Sequence, residues 1–173
     1  MSEGQRYALT EAKFEANTII EMIGPYCDRI AIAGSIRREK DEVGDIEIVC
    51  IPAEIMGGLF ADEPMRDPRY CAAVDSMAAI KGKATGKYAQ RVSPNGITVD
   101  IFMAEAKNWG NIMAIRTGSA DFSAKRLAAR WVQLGYHSSG GVLHKDGVAH
   151  ECREEMQLFE LLGIEWIEPK DRV

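Results

Sequence analysis

The sequence predicts an α+β protein, and three patterns predict it. Apolar residues recur at helical spacing over 10–24 and again over 122–134. Short alternating runs bounded by glycine or proline read as strands over 29–33 and 45–51. Two further runs, 84–92 and 97–103, flank Ser93-Pro94-Asn95-Gly96, and Asn-Gly between such runs is a strong hairpin signal.

Each element follows from its residues in turn. The first helix has Thr10 as its cap, Glu11 in its first turn and Phe14, Ile19, Met22 and Ile23 as a rough apolar stripe; Gly24-Pro25 stops it. Ile30 and Ile32 share one face of the strand at 29–33. Gly34-Ser35 turns the chain, Arg37-Arg38 and a polar loop follow, and the strand from Asp45 closes at Pro52. The apolar run 53–60 is broken by Gly57-Gly58, residues 62–69 carry two prolines and read as a loop, and alanine-rich 70–80 reads as helix. No chemistry is assigned to 53–80. A short helix is predicted around 108–115, and Gly135 ends the helix that begins at Phe122. Turns at 138–141 and 145–147 divide 136–150 into short strands, 153–162 forms a last helix ending at Gly163, and 164–169 is an extended tail.

Composition narrows the function. The chain has 173 residues, 46% hydrophobic and 27% charged, ordinary for a soluble globular protein. It is long enough for one domain or two small lobes. No apolar run nears the roughly 18 residues of a membrane span, and Met1-Ser2-Glu3-Gly4-Gln5-Arg6 lacks signal-peptide character. A soluble, intracellular protein is expected, and the four scattered cysteines fit a reducing compartment. Net charge is −5, against a dedicated nucleic-acid binder unless cations cluster locally. They cluster twice: Lys81, Lys83, Lys87 and Arg91 in a stretch free of acids, and Lys125, Arg126 and Arg130 on the predicted helix. Lys83, Lys87, Arg91, Lys125, Arg126 and Arg130 are the candidate DNA contacts; solvated faces would explain each lysine as well. Trp109 and Trp131 are assigned to the core, and His137, His144 and His150 lack metal-ligand spacing.

The chemistry concentrates between 34 and 49. Asp45 and Glu47 sit two apart at the start of a strand, hence on one face, away from Ile46, Ile48 and Cys50. Adjacent acids repel unless a cation lies between them. A third acid, Asp100, interrupts the apolar strand 97–103, where a carboxylate is costly unless paired or metal-bound. Three oxygen ligands on neighbouring strands suit hard Mg²⁺, and two such ions serve nucleotidyl transfer. Ordinary solvent-facing acids would satisfy the Asp-x-Glu spacing as well. Upstream, Gly34, Ser35 and Arg38 offer backbone N–H groups, a hydroxyl and a guanidinium to phosphate.

Gly34-Ser35-x-Arg37-Arg38 followed by Gly44-Asp45-x-Glu47 resembles the signature of the DNA polymerase beta-like, or family X, nucleotidyltransferases. Val99-Asp100-Ile101 resembles the family's third-acid strand, and Arg116-Thr117-Gly118-Ser119 with Phe122 resembles its palm-to-thumb segment. Glu154-Glu155, Phe159, Leu162-Gly163, Pro169 and Arg172 resemble the end of its thumb. The similarity runs from about residue 12 to 173, and the chain looks like the minimal palm-and-thumb members known among viruses.

The resemblance implies a palm over 1–104, a mixed, largely antiparallel sheet with helices packed on it, and a small α+β thumb over 105–173. It implies that Asp45, Glu47 and Asp100 bind two Mg²⁺, with Mn²⁺ as a substitute, and that Asp100 serves the primer 3′-hydroxyl. Gly34, Ser35, Arg38 and Gly44 would hold the triphosphate. Thr117, Gly118 and Ser119 would line the nucleotide, through a cis peptide as in relatives, and Ser123 and Arg126 would face the nascent pair. The implied partners are gapped or primer-template DNA and a (d)NTP, and the implied state is a monomer.

Several positions depart from the family pattern. Glu47 stands where Asp is usual, Ile115-Arg116 where two aromatics are usual, and Ser123 where an amide is usual. The loop Glu39-Lys40-Asp41-Glu42 is acidic for a triphosphate neighbour. Nothing before residue 10 resembles a lyase or fingers lobe, so lyase activity is not expected. The expected function is template-directed DNA synthesis that fills short gaps. The alternatives are template-independent nucleotidyl transfer to DNA, RNA or a small acceptor, and a binding module without catalysis.

Overall fold

The computed structural model describes residues 5–57 and 63–173. The predicted Gly57-Gly58 break and the run to Phe60 extend into 58–62, outside the described residues, as do 1–4. The elements are β1 (Tyr7–Ala8), α1 (Leu9–Ile23), β2 (Cys27–Ile32), α2 (Gly34–Arg37), β3 (Glu42–Val43), β4 (Ile46–Pro52), β5 (Glu54–Met56), β6 (Pro64–Arg66) and α3 (Pro68–Asp75). β7 (Ala78–Gly82), β8 (Tyr88–Val92), β9 (Thr98–Met103) and α4 (Trp109–Thr117) follow. A π-helical segment, Phe122–Ala128, leads into α5 (Ala129–Gln133), then β10 (His137–Ser139), β11 (Val142–Lys145), β12 (Val148–His150) and α6 (Glu155–Leu162).

Five strands form one sheet in the order β2-β4-β9-β8-β7, antiparallel except where β4 runs parallel to β9. That exception lets the starts of β4 and β9 lie side by side. β10, β11 and β12 form a separate antiparallel sheet. The expected α+β class, with a mixed and largely antiparallel sheet, is what the chain adopts.

Alternation divides the main sheet into two faces. Ile46, Ile48, Cys50, Val99 and Ile101 pack against Ala12, Ala16, Ile19 and Ile23 of α1 and Tyr70 and Val74 of α3. Val49 on the other face packs against Trp109 and Met113 of α4. The C-terminal half has its own core of Ala114, Phe122, Leu127, Leu143, Leu158, Phe159 and Leu162. Trp109 is buried, and Trp131 packs on that last core. The predicted α1 stripe is shifted: Ala12 and Ala16 join Ile19 and Ile23 inward, while Phe14 is 71% exposed.

Three local expectations need correction. Ala8, not Thr10, precedes α1, without a side-chain cap. The predicted helix 70–80 is displaced: Asp67 accepts from the Arg69 N–H, Pro68 opens α3, and Ala78–Gly82 instead pairs with β8 as the sheet's edge. Strand pairing outweighs alanine's helix propensity there. The predicted loop 62–69 contains β6, paired with β5.

Ionic contacts join the sheet to the C-terminal half. Arg29 donates to both Glu154 oxygens at 2.7 Å, and Arg37 donates to Thr117 Oγ1 at 2.6 Å and to Glu155 at 2.5 Å. Glu155 also accepts from Arg172, whose guanidinium is buried against Phe159 and Trp166.

Candidate active site

Glu47 and Asp100 are direct partners in the parallel register of β4 and β9. Their side chains leave the sheet on the face opposite the buried Ile46, Ile48, Val99 and Ile101. α4 covers that face farther along, over Val49, and leaves the strand starts accessible. Asp45 sits in a bend just before β4, so its expected place on one strand face with Glu47 is corrected: pairing with β9 begins at Ile46.

Glu47 forms a wall common to two clefts. One, about 370 Å³, is lined by Gln5, Arg6, Ser35, Arg38, Gly44 and Asp45. The other, about 530 Å³, is lined by Lys81, Lys87, Tyr88, Asp100, Phe102 and Arg116, among others. Gly34, with φ +62°, packs against Glu47 so closely that a Cβ there would overlap its carboxylate. Only glycine tolerates both constraints. A third cleft, about 630 Å³, lies away from these acids and is lined by Lys125, Arg126, Arg130 and Trp166 with their neighbours.

The smaller cleft has the chemistry of an anion site. Ser35 Oγ and Arg38 Nε are buried without hydrogen-bond partners, an unfavourable condition that an anionic ligand would relieve. Arg38 is fixed by donating from Nη1 to the Thr117 carbonyl at 2.6 Å. Arg6 was not anticipated. A lone arginine ahead of the first helix carries no motif, yet it lines this cleft and its charge opposes the rise of the Asp45 pKa.

The acids repel one another. Burial, and then the Asp45 charge, push Glu47 up to about 7, against the opposing cations Arg116 and Arg38. Burial and then Asp100 raise Asp45. Among the described residues no three His, Cys, Asp or Glu side chains converge tightly enough to hold a metal ion as they stand. The donor set still fits a hard divalent cation: all ligands are carboxylate oxygens, and at Asp45 and Glu47 burial together with a neighbouring carboxylate disfavours the charged form, which a bound cation would relieve.

Tyr88, also missed by sequence reasoning, donates its hydroxyl to Asp100 Oδ1 at 2.6 Å. Burial and this bond hold its own pKa up at about 12, so it remains a donor at neutral pH. The β8–β9 register places Tyr88 opposite Phe102, two residues along β9 from Asp100, and only the paired sheet fixes that register.

Other predicted residues lie elsewhere or are engaged. Arg91 is corrected as a DNA contact: it is 1% exposed, donates to the Lys81 and Gly82 carbonyls and to Asp75, and ties β7 to β8. Arg130 donates to the Leu162 carbonyl and to Gln133, and Lys125 pairs with Asp121 on the surface. Lys83, Lys87 and Arg126 are exposed. Thr117 is buried and serves Arg37 and Arg38. The Ser119 hydroxyl accepts from the Phe122 N–H, and the Ser123 hydroxyl donates to the Ile115 carbonyl. Gly118 lies against Phe122 and Ser123, where a Cβ would clash. The expected cis peptide is not found: no cis bond occurs among the described residues.

Comparison with known proteins agrees with this architecture. Residues 113–173 match the DNA polymerase beta thumb family. The fold is similar to that of Leishmania infantum polymerase beta in a ternary P/T complex, with a TM-score of 0.70 and 18% identity over 98% of this chain and 77% of that one. No curated protein matches the chain. Residues 113–173 thus match a DNA polymerase beta thumb within a fold similar to that of a polymerase beta, and the resemblance to the polymerase beta-like, family X proteins is borne out.

Proposed function

We propose that the chain transfers a nucleotide from a (d)NTP to a 3′-hydroxyl, releasing pyrophosphate, as a template-directed DNA polymerase that fills short gaps. The observation that carries this reading is the pairing of Glu47 with Asp100 beside a cleft holding the unpartnered Ser35 Oγ and Arg38 Nε. A cation site then adjoins an anion site, with Glu47 between them. The similarity to a polymerase beta with DNA bound supports DNA as the partner.

In this reading residues 1–104 are the palm and 105–173 the thumb. Asp45, Glu47 and Asp100 would hold Mg²⁺ or Mn²⁺. Bound there, the ions would activate the hydroxyl and neutralise the charge of the leaving group. Ser35, Arg38, the Gly34 and Gly44 backbone and Arg6 hold the triphosphate, with Arg38 supplying a fork-shaped donor. Asp100 orients the 3′-hydroxyl and takes its proton. Gly118 and its neighbours lie at the sugar, and Lys83, Lys87 and Arg126 lie along DNA phosphates, helped at most weakly by Lys125 and Arg130. The protein acts as an intracellular monomer, and no helix of the described residues is long and apolar enough to cross a membrane.

The test is single-nucleotide extension of a one-nucleotide-gapped duplex with Mg²⁺ and each dNTP in turn. Extension only by the complementary dNTP is expected. Extension by every nucleotide, or only of single strands, would assign template-independent transfer. Nucleotide binding without extension would assign a binding module.

A further inference from the structure

We propose that Tyr88 is a positioning residue for Asp100, held in place by a stack that runs from Arg116 through Phe102 to Tyr88. The proposal rests on the nucleotidyl-transfer reading and assigns a residue that the sequence motifs leave out.

Asp100 and Phe102 are two apart on β9 and share its accessible face. Tyr88 lies opposite Phe102 on β8, with ring centroids 5.2 Å apart, and its hydroxyl reaches along the strand to Asp100 Oδ1 at 2.6 Å. Above the other ring, the Arg116 guanidinium carbon lies 3.9 Å from the Phe102 centroid. Each ring is therefore fixed by its neighbour, and the last member fixes the carboxylate.

Two consequences follow. An aspartate on an open sheet face samples several rotamers; here one oxygen is anchored, and no other group among the described residues donates to the carboxylate. Oδ2 is left for an ion or a hydroxyl. Arg116, moreover, belongs to α4, directly before Thr117-Gly118-Ser119. The stack therefore ties Asp100 on the sheet to the helix that leads into the thumb segment. A hydrogen-bonded second layer of this kind commonly governs metal affinity and activity.

Tyr88→Phe keeps the ring and the stack and removes only the donor. Two measurements on the full chain decide the matter. The first is Mn²⁺ binding without DNA or nucleotide, followed by the loss of the free-ion EPR signal. The second is single-nucleotide extension with kcat and nucleotide KM separated. We expect about tenfold weaker Mn²⁺ binding and about tenfold lower kcat in Tyr88→Phe, with nucleotide KM and Tm unchanged and kcat partly recovered by excess Mn²⁺. Phe102→Leu, which keeps the hydroxyl but loses the stack, should show a smaller loss of the same kind. Wild-type Mn²⁺ affinity and kcat in Tyr88→Phe would overturn the assignment while leaving nucleotidyl transfer intact. A wild-type chain that binds no Mn²⁺ would overturn the metal reading and the role of Tyr88 together.

Discussion

Glu47 lies directly across from Asp100 where β4 and β9 run parallel, the one parallel pairing in the five-stranded sheet. Two acids are brought together by backbone register, so neither can be moved to the other face without slipping the strand. If this pair is the centre of the reaction, Asp100→Asn, which keeps size and polarity, should lower the extension rate by roughly 10²–10⁴-fold. The circular dichroism spectrum should stay unchanged. Activity above a few per cent of wild type would remove Asp100 from the chemistry.

Glu47 also predicts a pH dependence of stability. Its carboxyl titrates at about 7 in the folded chain, against an ordinary value of 4.5. The folded state holds this proton more tightly than the unfolded state, so stability falls as pH rises between those values. Below 4.5 the group contributes no penalty; above 7 the penalty is complete. Asp45 shifts in the same direction. In EDTA, Tm should therefore decline from pH 5 to pH 8, and Glu47→Gln should flatten part of that slope. Added Mg²⁺ should raise Tm more at pH 8 than at pH 5. A slope identical in Glu47→Gln would show that Glu47 is not the titrating group.

Much of this site was legible because it is periodic and local. Alternation set the Glu47 face, Asn95-Gly96 set the hairpin that carries Asp100, and Gly34 stood where a Cβ has no room. What stayed hidden depends on distant partners. Arg37 stands beside Arg38 in the same motif, but it meets Thr117 and Glu155, 80 and 118 residues away. Arg91 stands in a basic stretch and looks like a DNA contact until Asp75 and two carbonyls enclose it. Alternation along the chain says which face a residue takes and nothing about which distant charge will meet it. Alanine-rich 70–80 failed for a related reason: an edge position beside β8 was open to Ala78–Gly82.

Arg38 offers a test of the anion cleft separate from the acids. Its Nη1 is spent on the Thr117 carbonyl, whereas its Nε is buried and unpaired. A charge-assisted bond from such a donor contributes about 1.5–3 kcal/mol. Arg38→Ala should therefore weaken nucleotide binding by roughly ten- to a hundredfold, measured as Kd by filter binding or as KM in extension. Arg38→Lys keeps the charge without the fork and should recover only part of it. Unchanged nucleotide affinity in Arg38→Ala would exclude the cleft as the triphosphate site.

Glu155 tests the junction between the sheet and the C-terminal half. Its two oxygens accept from Arg37 and from Arg172, each at 2.5 Å, and Arg172 is fully buried. Burial lowers the Arg172 pKa, while Glu155 works against that shift. Glu155→Ala strands a buried guanidinium, and breaking a buried pair by removing one partner costs about 3–5 kcal/mol. Urea unfolding should show that loss as a lower midpoint at constant m-value. Glu155→Gln keeps one acceptor oxygen and should fall between the two. Because Arg37 directly precedes Arg38 in the chain, the same variant should also raise nucleotide KM in extension. A loss below about 1 kcal/mol, the range of exposed pairs, would mean that the junction contributes no more than a surface contact.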